Sequence, residues 1–169
     1  MSERPDGTLV SNDALVALSV EAARRGDTET LEHALAAGVP VDARSPRGDS
    51  LLMLAAYHGH VALVRLLLGW GSDPNGRNTQ GEAPLAGVAF KGLIDIAEAL
   101  VAGGADVNTA SQANGRTPLM MAAAFNRIDM VRWLLAHGAA PDLRDAAGLT
   151  ALDAARAMGA RKPRPCCRI

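Results

Sequence analysis

Gly115-Arg-Thr-Pro-Leu-Met-Met-Ala-Ala-Ala-Phe-Asn-Arg-Ile-Asp-Met-Val-Arg-Trp-Leu-Leu-Ala-His-Gly138 contains a turn glycine, an Ala-rich apolar run opened by Thr117-Pro118, and a break at Asn126-Arg127. A second apolar run with helical spacing follows and closes on a glycine. Nearly the same pattern occurs elsewhere: Gly48 is followed 23 residues on by Gly71 and Gly81 by Gly104, the interval that separates Gly115 from Gly138. The chain is therefore a repeat array of paired short helices.

The turn glycines are 33 residues apart from Gly48 to Gly81, 34 from Gly81 to Gly115 and 33 from Gly115 to Gly148. The extra residue falls in Thr109-Ala-Ser-Gln-Ala-Asn114, between helical pairs, where a loop absorbs it at little cost. One projecting turn is expected to be altered while the helical frame survives. Gly59 and Gly92 end the first helices of their units in the left-handed C′ conformation, and Asn126, which tolerates that conformation best after glycine, replaces them in the fourth.

The expected organisation is a flexible N-terminal arm over residues 1–11, with Asn12 or Asp13 as the first N-cap, then units at about 12–44, 45–77, 78–111, 112–144 and 145–160. The first unit lacks the turn glycine and carries Glu21, Arg24 and Arg25 on its first helix, as suits a terminal unit with one uncovered face. The last is truncated, because Pro163 and Pro165 prevent a regular second helix, and residues 161–169 are expected to be a disordered basic tail.

Composition agrees with stacked thin layers. Hydrophobic residues make up 49% of the 169, but aromatics only 3%, so Ala, Leu and Val must fill the core. A net charge of −1 gives no reason to expect nucleic acid or an anionic membrane as partner. The N-terminus is polar, and no run of about 18 apolar residues occurs. A soluble, cytoplasmic, monomeric protein is expected. Lys occurs only at Lys91 and Lys162 against many Arg and Ala, the bias of a GC-rich, bacterial genome. The only cysteines, Cys166-Cys167, exclude a disulfide framework. Their C-terminal setting behind basic residues is similar to a prenylation signal, although Arg168 spoils the aliphatic pattern, and a solvated tail of reduced thiols is the simpler reading.

The period near 33, Gly-x-Thr-Pro-Leu at Gly115–Leu119, Gly59-His60, and Gly-Ala-Asp-Val-Asn at Gly104–Asn108 together resemble ankyrin repeats over roughly residues 14–160. The resemblance implies an all-α solenoid of about five helix–turn–helix units with β-turn fingers, and a concave surface of fingers and inner helices that binds other proteins. It implies a scaffold or adaptor, or alternatively a dedicated regulator or inhibitor of a partner enzyme, and no catalytic residues or cofactors. The family's His after Thr-Pro-Leu is replaced by Met53, Ala86, Met120 and Asp153, and Thr-Pro is intact only in the fourth unit. Each lost hydrogen bond is worth about 1 kcal/mol, so units two and three are expected to be softer than an idealised array. Burial of aliphatic side chains at roughly 1.5–3 kcal/mol each should still hold the stack.

Tyr57 and Phe90 share one repeat position, Phe125 stands one residue later, and by the resemblance all three border the groove. Rigid rings flanked by polar groups suit a protein-binding hot spot. The candidate partner-binding set is these rings with His58, Lys91 and the finger residues Arg47, Asp49, Arg77, Gln80, Glu82, Asn114 and Arg116; the alternative is that the rings merely pack between units. Trp133 is expected in the core of the outer helical layer and Trp70 to be partly exposed on the convex side. His58 and His60 lack a third ligand at a recognisable spacing, so no metal site is expected. Asp42, Asp73, Asp106 and Asp142 recur where Asp caps turns, and no catalytic motif is present.

Overall fold

The structure, a computed structural model, describes residues 2–3, 9–10 and 12–159. Ser2–Glu3 (β1) and Leu9–Val10 (β2) pair antiparallel, so the stretch expected to be a flexible arm carries a two-residue ladder. The tail and its Cys166-Cys167 pair lie outside the described residues.

The remaining described elements are helices: α1 (Asn12–Arg25), α2 (Thr28–Ala36), α3 (Leu51–His58), α4 (Val61–Gly69), α5 (Pro84–Lys91), α6 (Ile94–Ala102), α7 (Pro118–Ala124), α8 (Ile128–Ala136) and α9 (Ala151–Gly159). Helices α1, α3, α5, α7 and α9 stack in sequence as one layer, while α2, α4 and α6 stack as a second; each of the first four inner helices packs on the outer helix that follows it. This is the all-α repeat solenoid expected from the sequence. Its core is a continuous aliphatic seam between the layers, with Leu31, Leu52, Leu63, Leu67, Leu85, Ile96, Leu100, Met130 and Leu134 almost wholly buried. At 14 residues α1 is longer than a short repeat helix, and it begins at Asn12 with Asp13 already in its first turn, so neither residue is its cap.

Backbone conformation follows the repeat frame. Asn126 has φ 55°, the only non-Gly residue with positive φ among those described, and it occupies the place of Gly59 and Gly92, with φ 92° and 82°. Phe125 therefore becomes the C-cap of α7 rather than a member of the helix as expected, because the left-handed residue after it ends the helical run.

The fingers are held by recurrent polar contacts. Ser45 Oγ accepts from the Arg47 and Asp49 amides, Asn78 Oδ1 from Gln80 and Glu82, and Asp145 Oδ1 from Ala147 and Leu149. These bonds, with Arg116 nearby, hold the Asp145 carboxyl below its ordinary pKa. In the fourth unit the loop is one residue longer: the Gly115 amide donates to Ser111 O, four residues back, where the other fingers close over three. The insertion thus alters one projecting turn, as its position between helical pairs predicts.

Adjacent fingers are also tied to each other. Arg44 Nη1 donates to Gly48 O at 2.8 Å and to Arg77 O at 2.7 Å, and Arg77 Nη1 repeats this one unit on, to Gly81 O and Ala110 O at 2.9 and 2.6 Å. The recurring Asp residues fall into two roles. Asp73 and Asp106 close their own turns by accepting from Asn75 and Asn108. Asp42 reaches the next unit by accepting from Ser72 Oγ and the Asp73 amide, as Asn75 and Asn108 do with Asp106 and Ala140.

Candidate functional site

Seven of the twelve candidate residues line one open cavity of about 490 Å³ between the fingers of units two and three and the helices α3, α5 and α7: Arg47, Asp49, Tyr57, Gln80, Glu82, Phe90 and Phe125. Met53, Leu54, Ala86, Gly87 and Met121 supply much of its apolar lining. Phe90 and Phe125 meet edge to face with centroids 4.4 Å apart, a favoured geometry for an aromatic pair. Tyr57 and Phe125 keep exposed ring surface although each also meets a neighbouring unit, Tyr57 at Gly87 and Phe125 at Phe90.

Gly87 lets the Tyr57 ring pack into the cavity wall. It occupies the repeat position of Leu54 and Met121, and a Cβ built on it would lie 3.3 Å from Tyr57 Cδ2, closer than a side chain ordinarily sits. A glycine inside a helix costs about 1 kcal/mol relative to Ala, so this position gives up helix stability to let the Tyr57 ring lie against its backbone. Ala86, at the position of Met53 and Met120, is a second small residue in the cavity lining.

Lys91 and His58 sit at the rim. The Lys91 ammonium lies 3.9 Å from the Tyr57 ring centroid, and His58 meets Tyr57 edge to face with centroids 5.7 Å apart. Loss of hydration by part of the His58 ring, then the positive charges of Lys91, His60 and Arg24, lower its pKa from the ordinary 6.5. His60 is directed elsewhere: its Nε2 lies 2.9 Å from Arg24 O and ties α4 to the first unit. No group of three or more His, Cys, Asp or Glu side chains placed to hold a metal ion occurs among the described residues.

The structure does not bring Arg77, Asn114 and Arg116 into the cavity. Arg77 is half-buried, with its guanidinium bound to Gly81 O, Ala110 O and Thr109 Oγ1. Asn114 Oδ1 accepts from the Arg116 amide inside the lengthened finger, and Arg116 Nε stands 3.6 Å from Asp145 Oδ2 of the next one. Of the charged residues that do line the cavity, Asp49 accepts from Asn78 Nδ2 and Glu82 from Ser111 Oγ. The Arg47 guanidinium is exposed and makes no polar contact among the described residues.

Sequence reasoning overlooked Gly87, Met53 and Met121, although reading the repeat positions column by column exposes the gap at Gly87. It also overlooked Arg127, whose Nε donates to Phe90 O at 2.9 Å. Arg127 stands at the repeat position of His60, and Phe90 at that of Arg24, so a different side chain restores the same bond. The intervening unit has Leu93 there and cannot make it. Trp133 is partly buried against the core and stacks on His137 at 3.9 Å, in keeping with an outer-layer core position, while Trp70 is exposed at the C-cap of α4.

Nine described helices in two stacked layers with fingers between units define a helical repeat protein, a class that works by surface contact. The profile of the ankyrin-repeat family, which describes three copies of the repeat, matches residues 19–111 and again 85–162, and the chain belongs to that family. A putative ankyrin repeat protein of Pseudomonas aeruginosa is 54% identical over 44 residues, 26% of each chain. A putative ankyrin repeat-containing protein of Treponema pallidum is 32% identical over 131 residues, 77% of this chain and 33% of that protein. The E3 ubiquitin-protein ligase hecd-1 of Caenorhabditis elegans is 38% identical over 138 residues, 81% of this chain but 4% of the ligase. The chain thus spans a third or less of the length of these relatives. Ankyrin repeats are in general protein–protein interaction modules and a non-catalytic fold. No described helix is long and apolar enough to cross a membrane.

Proposed function

We propose that the chain is a non-catalytic protein-binding module whose partner inserts an apolar or aromatic side chain into the open cavity beside Tyr57, Phe90 and Phe125 and lays polar groups along the fingers of units two and three. The observation that carries this reading is the convergence of Tyr57, Phe90 and Phe125 on one open cavity. Rings with few rotatable bonds lose little entropy on contact, and the Arg47 guanidinium, without a polar partner among the described residues, supplies a charged donor at the edge.

The test is a peptide-display selection on the folded chain, followed by titration of the recovered peptides against two variants. Tyr57→Ala/Phe90→Ala/Phe125→Ala removes the rings, and Gly87→Leu displaces the Tyr57 ring from its place in the cavity wall. Both should weaken binding at least about tenfold, the scale of a lost hot spot, while far-UV circular dichroism stays native. Unchanged affinity in two folded variants would place the binding surface elsewhere.

A further inference from the structure

Asn-Gly-Arg occurs twice in the chain, at Asn75–Arg77 and Asn114–Arg116, and Asn-Gly occurs nowhere else. A glycine after asparagine is the setting most open to spontaneous loss of the side-chain amide, because the following backbone nitrogen is unscreened by a side chain and free to rotate. The local sequence is the same at both places, so a difference in reactivity between them must come from the fold. Both asparagine side chains are exposed, and access to water does not separate them.

Their hydrogen bonds do. The Asn75 carboxamide is held at both ends by the next unit: Nδ2 donates to Gly104 O at 3.0 Å, and Oδ1 accepts from the Asp106 amide at 2.8 Å. It cannot swing towards the Gly76 nitrogen without giving up two contacts that join units two and three. Asn114 lies in the lengthened finger of unit four. Its Oδ1 accepts from the Arg116 amide of the same finger at 3.0 Å, and its Nδ2, the group that must leave, has no partner among the described residues.

We infer that Asn114–Gly115 is a site of spontaneous modification in the folded protein, and that stacking protects Asn75–Gly76. The Gly115 amide gives up its 2.8 Å bond to Ser111 O and loses its proton to solvent base. The nitrogen then attacks Asn114 Cγ; the new N–C bond closes a cyclic imide, the Cγ–Nδ2 bond breaks, and ammonia leaves. Water opens the imide at either carbonyl and gives aspartate or isoaspartate, with no other co-reactant. In the isoaspartate product the main chain runs through Cβ. The carbonyl that accepts from the Ala146 amide at 2.9 Å becomes a free carboxylate, so the reaction alters the tie between the fourth and fifth fingers.

The full chain is incubated at mildly alkaline pH, once folded and once in guanidinium chloride, and conversion at each asparagine is followed by mass spectrometry of its peptides. The two sites should convert at similar rates when unfolded. In the folded chain Asn114 should convert at least about tenfold faster than Asn75, the scale on which two hydrogen bonds slow a local opening. Asn114→Gln, which would have to close a larger ring, should abolish the fast product. Hydrogen exchange at the Ala146 amide should be faster in the isoaspartate product than in Asn114→Asp, which has the charge without the rerouted chain. Equal rates in the folded chain, no product at Asn114 there, or the same ratio of rates in guanidinium chloride would overturn the proposal. Unchanged exchange at Ala146 would overturn the effect on the tie.

Discussion

Units three and four are built on one frame but finished differently. In unit four, Thr117 Oγ1 accepts from the Met120 amide to cap α7, Arg127 reaches back to Phe90 O, and Met121 fills the inner face. In unit three the corresponding residues are Ala83, which offers no cap, Leu93, which offers no bond, and Gly87, which has no side chain and takes the Tyr57 ring against its backbone. Unit two, expected from its altered Thr-Pro to share this softness, keeps a cap from Ser50 Oγ to the Met53 amide and the His60 tie to Arg24 O. The lost contacts therefore fall in one unit, beside the cavity. Departures from a repeat's own rules that gather around an open site are the pattern expected where function has displaced stability.

The largest effect should come from breaking the core on each side of this comparison. Leu85→Ala and Leu119→Ala each remove a buried side chain and should cost about 2–5 kcal/mol in urea denaturation. In the weak unit, the loss should also uncouple its neighbours, because a solenoid is held by nearest-neighbour contacts. With Trp70→Phe leaving Trp133 in unit four as sole reporter, fluorescence and circular dichroism should then give separate transitions for Leu85→Ala and coincident ones for Leu119→Ala. Coincidence in both would mean that unit three is no softer than unit four.

A smaller effect sharpens the same contrast at the caps. Thr117→Ala should cost about 1 kcal/mol, and Ala83→Thr should return a similar amount to α5. The backbone is already prepared for it: Ala83 has φ −96° and ψ 159°, close to φ −89° and ψ 163° at Thr117. If Ala83→Thr leaves the urea midpoint where it was, the missing cap is not a source of weakness.

The smallest effect concerns pH at the rim of the cavity. The His58 pKa is lowered in the folded chain, so the unfolded chain binds more protons just below the ordinary value of 6.5. Stability should fall as pH drops through that value and level off below the folded pKa. Asp27, Asp145 and Asp153, lowered mainly by hydrogen bonds from Thr30, Leu149 and Thr150 respectively, act in a separate window beneath 3.8. Melting temperatures measured between pH 7.5 and pH 5, values of about one unit either side of the His range, should slope downward in the wild type. They should slope less in His58→Gln; equal slopes would assign the effect to another group.

Much of the fold was legible in the chain because it rests on local rules. The left-handed position at Asn126, the lengthened finger at 111–116 and the placement of Tyr57 and Phe90 follow from counting repeat positions. The candidate site was legible in its rings and less so in its fingers. Arg77, Asn114 and Arg116 look like free polar groups in sequence, but stacking brings Ala110 O within reach of Arg77 and the Asp145 carboxylate near Arg116, while Asn114 accepts from the Arg116 amide inside its own finger.

By itself the sequence determined the repeat frame, the helix pairs and the backbone conformation of their ends, since φ preferences and apolar spacing act within a few residues. Only the tertiary structure decided which side chain one unit away each residue meets. Gly87 stays without a side chain where the Tyr57 ring lies against it, Arg127 replaces His60 because Phe90 O stands within reach, and Leu152 is exposed where Leu52, Leu85 and Leu119 are buried. The physical reason is that these contacts join residues about 33 positions apart, and the fold pays their ordering entropy only when the layers stack.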